Sequence, residues 1–535
     1  MVTWSGSVWK VDRDHGLPDY FQLEDYIRCA ITEKRHGRIA LNSPNCLRQV
    51  EGEYVIAAAD KWSAILARGL QAESQLFYKY EKGVLQWSTN FMDLVDSPIN
   101  DLIWDKLVLQ SWGIGVLPFR NIHSLENGKF VEVSEKGLRT VTFEHFNQTS
   151  ITKWSSLQEW GEYAYELITH AVAVRARPFR RVGVALSAGI DSSAIVSCLA
   201  RSKTDIVLYN WASRSWSTID ESKYASKTAE YLGQKENFRT IDVSQGHRKG
   251  GGHLSETWRP VVPINNGLYK WWIDTVELAE KDGVDCFMTG RCGNGAFCNR
   301  IGINLLTDLM SVPFLQGCRF VWHSLSTIAT TRSLLKTLLP LGIEAELEAD
   351  LQESVQLGPW PVDRHIDHYS QAATDTLTEQ KDLTKTEVSM QRLNMDIQWW
   401  RPKGIVCLAP YYDRNIWFGL RPIIPSAYKL LPYGGRVIDK PILRQAFLNK
   451  LPSEVVSNKF QANLGAAKEW FVINNRDFVS NVLSKDSNLA KLGVIEPKHL
   501  QDVLASKSRI CKCAGTLTNN VLIELWLRKI FADIP

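Results

Sequence analysis

Between residues 181 and 243 the hydrophobic period switches back and forth, and this constrains the fold more than any other feature of the chain. RVGVAL (181–186) is a short apolar run that reads as a buried strand. SSAIVSCLARS (192–202) has helical spacing, DIVLYNWAS (205–213) is strand-like, DESKYASKTAEYLG (220–233) is a helix closed by Gly233, and FRTIDV (238–243) is a third strand. Strand–helix–strand–helix–strand predicts a doubly wound parallel α/β sheet. DCFMTG (285–290) supplies a fourth strand, after which the chain reads as mostly helical, with no clear strand in 325–400.

Upstream the pattern differs. EYVIAAAD (53–60), SAILARG (63–69), SQLFYKY (74–80) and VLQWSTN (84–90) alternate short apolar runs with polar turns, and 122–143 continues as a meander. Ser156 and Glu159 form a possible capping box, after which Trp160, Tyr163, Leu167, Ala171 and Val174 make one apolar helical face that Pro178 ends. A chain of 535 residues is too long for one core. The expected division is a β-rich domain over 1–150 and an α/β domain with a helical C-terminal part over 151–535.

Several classes are excluded. The net charge of +4 is near neutral for this length, so nucleic acid is not an expected partner. The densest basic patch, Arg175, Arg177, Arg180 and Arg181, reads as a solvated helix end and strand entry, with phosphate steering as the alternative. No uninterrupted apolar stretch of about 18 residues occurs, so no membrane span is expected. The N-terminus lacks the apolar core of a signal peptide, and the ten cysteines are scattered, with Cys511 and Cys513 in a C-x-C and Cys292 and Cys298 near one another. Neither pair has zinc-site spacing, and the expectation is a cytoplasmic protein with reduced thiols. Most of the 20 Trp, including Trp271–Trp272 and Trp399–Trp400, are expected in cores.

ALSAGIDSS (185–193) joins the first predicted strand to the following helix. A loop at the C-terminal end of a parallel strand is where open α/β sheets bind ligands, and the helix start offers N–H groups and a positive dipole end to anions. Ser187, Ser192 and Ser193 add hydroxyls, and Asp191 can ligate Mg²⁺. Neither a Walker loop nor a G-x-G-x-x-G fingerprint is present here, and Gly250–Gly252 has no phosphate-loop context.

S-A-G-I-D-S-S resembles the S-G-G-x-D-S pyrophosphate loop of the ATP pyrophosphatases. Ala188 departs from it, which is tolerable if φ is negative there. STIDESKYASKTAEYLG (217–233), FMTGRCGNGAF (287–297), LAPYYDRNIW (408–417) and VIDKPILRQAFLNKLPSEVVSNKF (437–460) resemble successive segments of the asparagine synthetases, and ILARGLQAESQLFYKY (65–80) resembles their attached glutaminase domain. The resemblance implies that Ser187, Gly189, Ser192 and Ser193 hold the β and γ phosphates of ATP. It implies that Leu186, Asn210, Thr289 and Gly290 border the adenosine, and that Asp191 and Asn294 bind Mg²⁺. Lys459 would neutralise charge at the α phosphorus and the developing oxyanion, and Lys440 would assist pyrophosphate departure. It names no general base.

Position 2 is Val2, where a working glutaminase of this kind has its nucleophilic Cys, and the first Cys is Cys29. The N-terminal domain is therefore expected to be a degenerate glutaminase-like remnant. Arg291 replaces an acidic or tyrosyl residue, Asn294 replaces the second Mg²⁺-binding Asp, and Val406 stands where asparagine synthetases have Glu. The T-G-x-x-G-N variant is most similar to the lasso peptide cyclases. That likeness implies adenylation of an Asp or Glu side chain of a precursor peptide, followed by macrolactam closure with the peptide's N-terminal amine. It also implies a leader peptidase and a leader-recognition protein as partners. The alternatives are another amide-forming synthetase (β-lactam synthetase or asparagine synthetase-like) and a catalytically dead scaffold of a peptide-processing complex.

Overall fold

The computed structural model describes residues 2–10, 32–35, 38–41, 51–59, 63–96, 117, 119–143, 156–202, 204–213, 220–243, 269–297, 399–424, 428, 430–433, 436–457 and 464–532. The chain separates into two compact units, one of Met1–Trp104, Trp112–Ile151 and Tyr412–Gly419, the other of Asp105–Ser111, Thr152–Tyr411 and Leu420–Pro535.

In the first unit β1 (Val2–Lys10), β4 (Glu51–Ala59), β5 (Ala64–Arg68), β9 (Lys129–Ser134) and β10 (Gly137–Thr142) form a five-stranded sheet, antiparallel throughout, in the order β1-β4-β5-β9-β10. A separate hairpin joins β2 (Thr32–Arg35) to β3 (Arg38–Leu41). The strands β6 (Phe77–Glu81), β7 (Val84–Ser88) and β8 (His123–Ser124) make a small antiparallel sheet. The β6–β7 turn places Lys82 and Gly83 at φ +50° and +81°, the left-handed pair that matches strand twist in a two-residue loop. The expected strand at 74–80 starts only at Phe77. Upstream of it the backbone folds around polar side chains, with Asn127 donating its amide to the carbonyls of Gly69, Leu70 and Ala72.

The second unit holds a parallel sheet of β11 (Arg181–Ala185), β12 (Asp205–Ala212), β13 (Phe238–Asp242), β14 (Cys286–Met288) and β15 (Val406–Leu408), in the order β13-β12-β11-β14-β15. Its helices are α1 (Leu157–Ala176), α2 (Ile190–Leu199), α3 (Ser222–Tyr231), α4 (Tyr269–Lys281) and the short α5 (Gly293–Phe297). The hairpin β16 (Leu430–Tyr433)–β17 (Arg436–Asp439) leads into α6 (Pro441–Ala446) and α7 (Ser453–Val456). The chain continues through α8 (Leu464–Asn474), α9 (Arg476–Val482), α10 (Asn488–Lys491), α11 (Pro497–Ala505) and α12 (Lys507–Ala532). The mostly helical C-terminal part thus appears where the sequence places it, while nearly all of 325–400 lies outside the described residues. No helix among the described residues is long and apolar enough to cross a membrane.

The local signals explain these elements. Glu159 N donates to Ser156 Oγ at 3.2 Å and Ser156 N to Glu159 Oε2 at 3.0 Å, closing the capping box of α1. Gly233, at φ +69°, follows α3 in the left-handed turn the sequence suggests. The basic patch is not wholly solvated. Arg175 is fully buried and donates to Ala171 O, while Arg181 pairs with Asp205 at 3.0 Å. Arg175 lies among the buried residues of α1, which charge alone does not reveal. Trp271, Trp272, Trp399 and Trp400 are buried, as expected.

Gly183 lets the central strand accept large neighbours. A Cβ there would stand 2.8 Å from Phe287 Cδ2 and 3.1 Å from Tyr209 Cε2. Gly183→Ala is therefore expected to destabilise the second unit by about 1–3 kcal/mol through overpacking. The measurement is the midpoint of urea unfolding followed by Trp fluorescence; an unchanged midpoint would show that the two rings shift freely.

Candidate functional site

The strand order places the site. From β11 the chain adds β12 and β13 on one side and β14 and β15 on the other, so β11 and β14 flank the point where the winding reverses. At such a point the loops after adjacent strands part and leave a crevice at their C-terminal ends. The loop after β11 is 186–189 and the one after β14 is 289–292.

The first loop is tied by its own hydroxyls. Ser187 N donates to Ser192 Oγ at 3.0 Å, the two hydroxyls lie 3.0 Å apart, and Gly189 N donates to Ser187 Oγ at 3.1 Å. Ser192 Oγ also reaches Gly189 O at 3.2 Å. Gly189 caps α2 with extended backbone and gives no side-chain cap, so the first-turn N–H groups of α2 keep their capacity for an external acceptor. Ala188 is not among the described residues with left-handed backbone. Its methyl group is buried, and the condition for tolerating Ala in place of Gly is met.

Leu186 is joined to β12 at both backbone groups. Its N–H donates to Tyr209 O at 2.8 Å, and its carbonyl accepts from Asn210 Nδ2 at 2.8 Å. That bond fixes the amide of Asn210 and leaves Oδ1 buried without a hydrogen bond. Thr289, whose N–H donates to Leu408 O, likewise has a buried hydroxyl with no partner, as does Ser193. Buried polar groups are rarely left unpaired, so these three groups are suited to hydrogen-bond a bound polar molecule.

Asp191 is the electrostatic centre. Its Oδ2 accepts from the Lys440 ammonium, its main-chain carbonyl accepts from Tyr411 Oη at 2.8 Å, and its Oδ1 is buried with no partner. Burial pushes the Asp191 carboxyl above its usual range, and the Lys440 ammonium pulls it back. Burial also holds the Tyr411 phenol well above its ordinary value, so it remains a donor. Lys440 is 4% exposed and left-handed at φ +51°, ψ +47°, a conformation that costs a residue with a Cβ roughly 1–2 kcal/mol. Its Nζ also lies 4.0 Å from Asp439 Oδ2, whose other oxygen accepts from Arg444 Nη2 at 2.6 Å.

The second loop wraps Asp191 closely. Gly290 lies against Asp191 Cβ and Ser192 N, and a Cβ on Gly293 would collide with the Asp191 carboxylate. In the same loop Arg291 has Cζ 5.4 Å from the Trp272 ring centroid, and burial lowers its guanidinium from its ordinary value.

The structure therefore ties Ser187, Gly189 and Ser192 into one hydrogen-bonded loop, next to which Asp191 is ion-paired with Lys440. It joins Leu186 to Asn210 and sets the Thr289–Gly290 turn alongside. Lys459 lies outside the described residues. Asn294 is exposed on α5. Asp191, with one buried oxygen unused, fits a divalent cation as a carboxylate ligand. Among the described residues no three His, Cys, Asp or Glu side chains gather as a metal cage. Tyr411, Asp439 and Gly293 were not singled out from the sequence. The available signals were an aromatic hydroxyl two residues before Asp413, an acid immediately before Lys440, and a glycine three residues after Gly290.

No curated protein matches the chain. Two solved structures are similar to parts of it. One is the glutamine phosphoribosylpyrophosphate amidotransferase from B. subtilis complexed with ADP and GMP, at 12% identity and a TM-score of 0.17, covering 39% of this chain and 45% of that one. The other is described as the allosteric regulatory enzyme of purine biosynthesis, at 14% identity and a TM-score of 0.17, covering 39% of this chain and 44% of that one. The chain thus spans less than half the length of either. Residues 164–299, which run from within α1 through both crevice loops and past α5, match the family model of asparagine synthase, so the segment that carries the site is asparagine synthase-like.

Proposed function

We propose that the chain is an ATP-dependent amide-forming synthetase that closes a macrolactam in a precursor peptide, a lasso peptide cyclase. The observation that carries the reading is the Ser187–Ser192 loop with Asp191 at the β11/β14 crevice, inside a segment that matches the asparagine synthase model. In the proposed reaction a side-chain carboxylate of Asp or Glu attacks the α phosphorus of ATP, the α–β bond breaks, and pyrophosphate leaves. The peptide's N-terminal amine then attacks the acyl carbon, forming the amide and releasing AMP and a proton.

The chain's own groups have assignable work. The α2 first-turn amides and the hydroxyls of Ser187, Ser192 and Ser193 bind the departing phosphates. Asn210, Leu186, Thr289 and Gly290 border the adenosine. Asp191 would hold Mg²⁺, which neutralises polyphosphate charge when bound. Lys440 stands beside it, and Lys459 carries charge to the reacting phosphorus and carbon. Ring closure depends mainly on holding amine and acyl carbon together. The departures at Arg291, Asn294 and Val406 support the macrolactam reading over an asparagine-forming one. A leader peptidase, a leader-recognition protein and a cytoplasmic setting belong to this proposal.

The test supplies ATP, Mg²⁺ and a peptide with a free N-terminal amine and an internal Asp or Glu, and follows the products by mass spectrometry. The expected result is AMP, pyrophosphate and a peptide lighter by one water, with no dependence on glutamine. Glutamine-dependent release of glutamate would sink the macrolactam reading. The exposed Asn294 favours one rival, a scaffold without catalysis, and absence of ATP–pyrophosphate exchange with the cognate peptide would establish it.

A further inference from the structure

The ion pair on Asp191 has a second acid behind it. The Lys440 ammonium, buried except for 4% of the residue's surface, sits on Asp191 Oδ2 and lies 4.0 Å from Asp439 Oδ2. Asp439 is fixed from the other side, because Arg444 donates Nη2 to Oδ1 at 2.6 Å and Nε to the main-chain carbonyl at 2.7 Å. Asp191 is fixed through its carbonyl by Tyr411, and its Oδ1 is buried and unused. Two anchored carboxylates therefore share one buried cation, and one of their oxygens still lacks a partner.

We propose that this position is a divalent-cation site with Asp191 and Asp439 as its carboxylate ligands, occupied by the Lys440 ammonium until a polyphosphate arrives. The charges explain the exchange. Among the described residues, Asp191 and Asp439 balance Lys440 and Arg444 in formal charge. A divalent ion added alone would leave two uncompensated positive charges away from water, which is unfavourable. A polyphosphate brings the missing negative charge and gives Lys440 a new partner, so ion and anion enter together. Mg²⁺-class ions are commonly held by one or two carboxylates plus waters and substrate phosphates, so an outer carboxylate 4.0 Å from the cation position is compatible with a bridging water. In this arrangement Asp439, carried on the β17–α6 junction, takes the place that the sequence comparison gives to Asn294.

The inference rests on the proposed function only for the polyphosphate, since ion binding is measurable without nucleotide. The probe is Mn²⁺ added to the full-length chain, with free ion followed by electron paramagnetic resonance. Wild-type protein is expected to bind Mn²⁺ weakly, and at least tenfold more tightly when inorganic pyrophosphate is present. Lys440→Met should bind Mn²⁺ without pyrophosphate at least tenfold more tightly than wild type. Adding Asn294→Ala to that variant should leave the affinity unchanged, whereas adding Asp439→Asn should remove the gain. A Lys440→Met protein that binds no more tightly than wild type, or a gain lost with Asn294→Ala, overturns the site. Because Asp439→Asn deprives Arg444 of a partner, its folding is checked by circular dichroism; the Asn294→Ala arm decides the ligand if that variant does not fold. Tight Mn²⁺ in Lys440→Met with no pyrophosphate effect in wild type leaves the ion site standing and counts against the polyphosphate reading.

Discussion

Asp191→Asn is expected to lower peptide-dependent conversion of ATP to AMP on the order of 10²–10³-fold, the usual loss when a principal electrostatic stabiliser is removed. The amide keeps the size of the side chain and removes only its charge. The contacts that place the start of α2 survive, because Tyr411 donates to the main-chain carbonyl of residue 191 rather than to its carboxylate. Lys440 loses its nearest anion but retains Asp439 at 4.0 Å, so a folded protein is expected, at some cost in stability. The parallel binding measurement is equilibrium dialysis of ATP with and without Mg²⁺. Affinity for the metal complex should fall at least tenfold more than affinity for the free nucleotide. Retention of a tenth or more of wild-type turnover would show that the metal is held elsewhere.

What the sequence could reveal followed from how far each interaction reaches along the chain. The α/β alternation is local: a run such as RVGVAL buries both faces of β11, and the period of 157–176 buries one face of α1, so both are legible. The capping box and the left-handed Gly233 are equally local. That Ser187, Gly189, Asp191 and Ser192 share one strand-to-helix loop was legible, because they lie within a few residues of one another. The partners of Asp191 were less so. Tyr411 lies 220 residues away with nothing in its neighbourhood to mark it, and Lys440, 249 residues away, is brought to the same site by the resemblance alone, which does not make it an ion-pair partner. Arg175 shows the same limit in reverse. Its charge suggested solvent, but its place on the inner face of α1 decided otherwise. Asn294 shows a third limit: a position within a motif fixes sequence order, whereas its exposure on a five-residue helix is set by the fold.

A removed charge and a displaced one are separate lesions, and Gly293 allows the second to be made alone. A Cβ at this position would stand 2.7 Å from Asp191 Cγ and 3.1 Å from its Cβ, distances at which atoms must move. Gly293 is not among the glycines with left-handed backbone, so alanine meets no conformational penalty of its own and is the better helix former. The strain therefore falls on the contact. Asp191 cannot retreat as a unit, since Tyr411 holds its carbonyl and Lys440 holds its carboxylate. Either the carboxylate rotates away from Lys440 or the 290–293 turn lifts from α2. Both outcomes widen the crevice while leaving every charge in place. Gly293→Ala is thus expected to fold, with a loss of about 1–3 kcal/mol from overpacking. Its peptide-dependent AMP formation should fall at least 30-fold, a loss of about 2 kcal/mol of transition-state stabilisation at 1.36 kcal/mol per factor of ten. Its affinity for free ATP should change less than its affinity for the metal complex, as in Asp191→Asn. Near-normal turnover would mean that the turn yields without disturbing Asp191, and that the close wrapping of this carboxylate is packing rather than placement for catalysis.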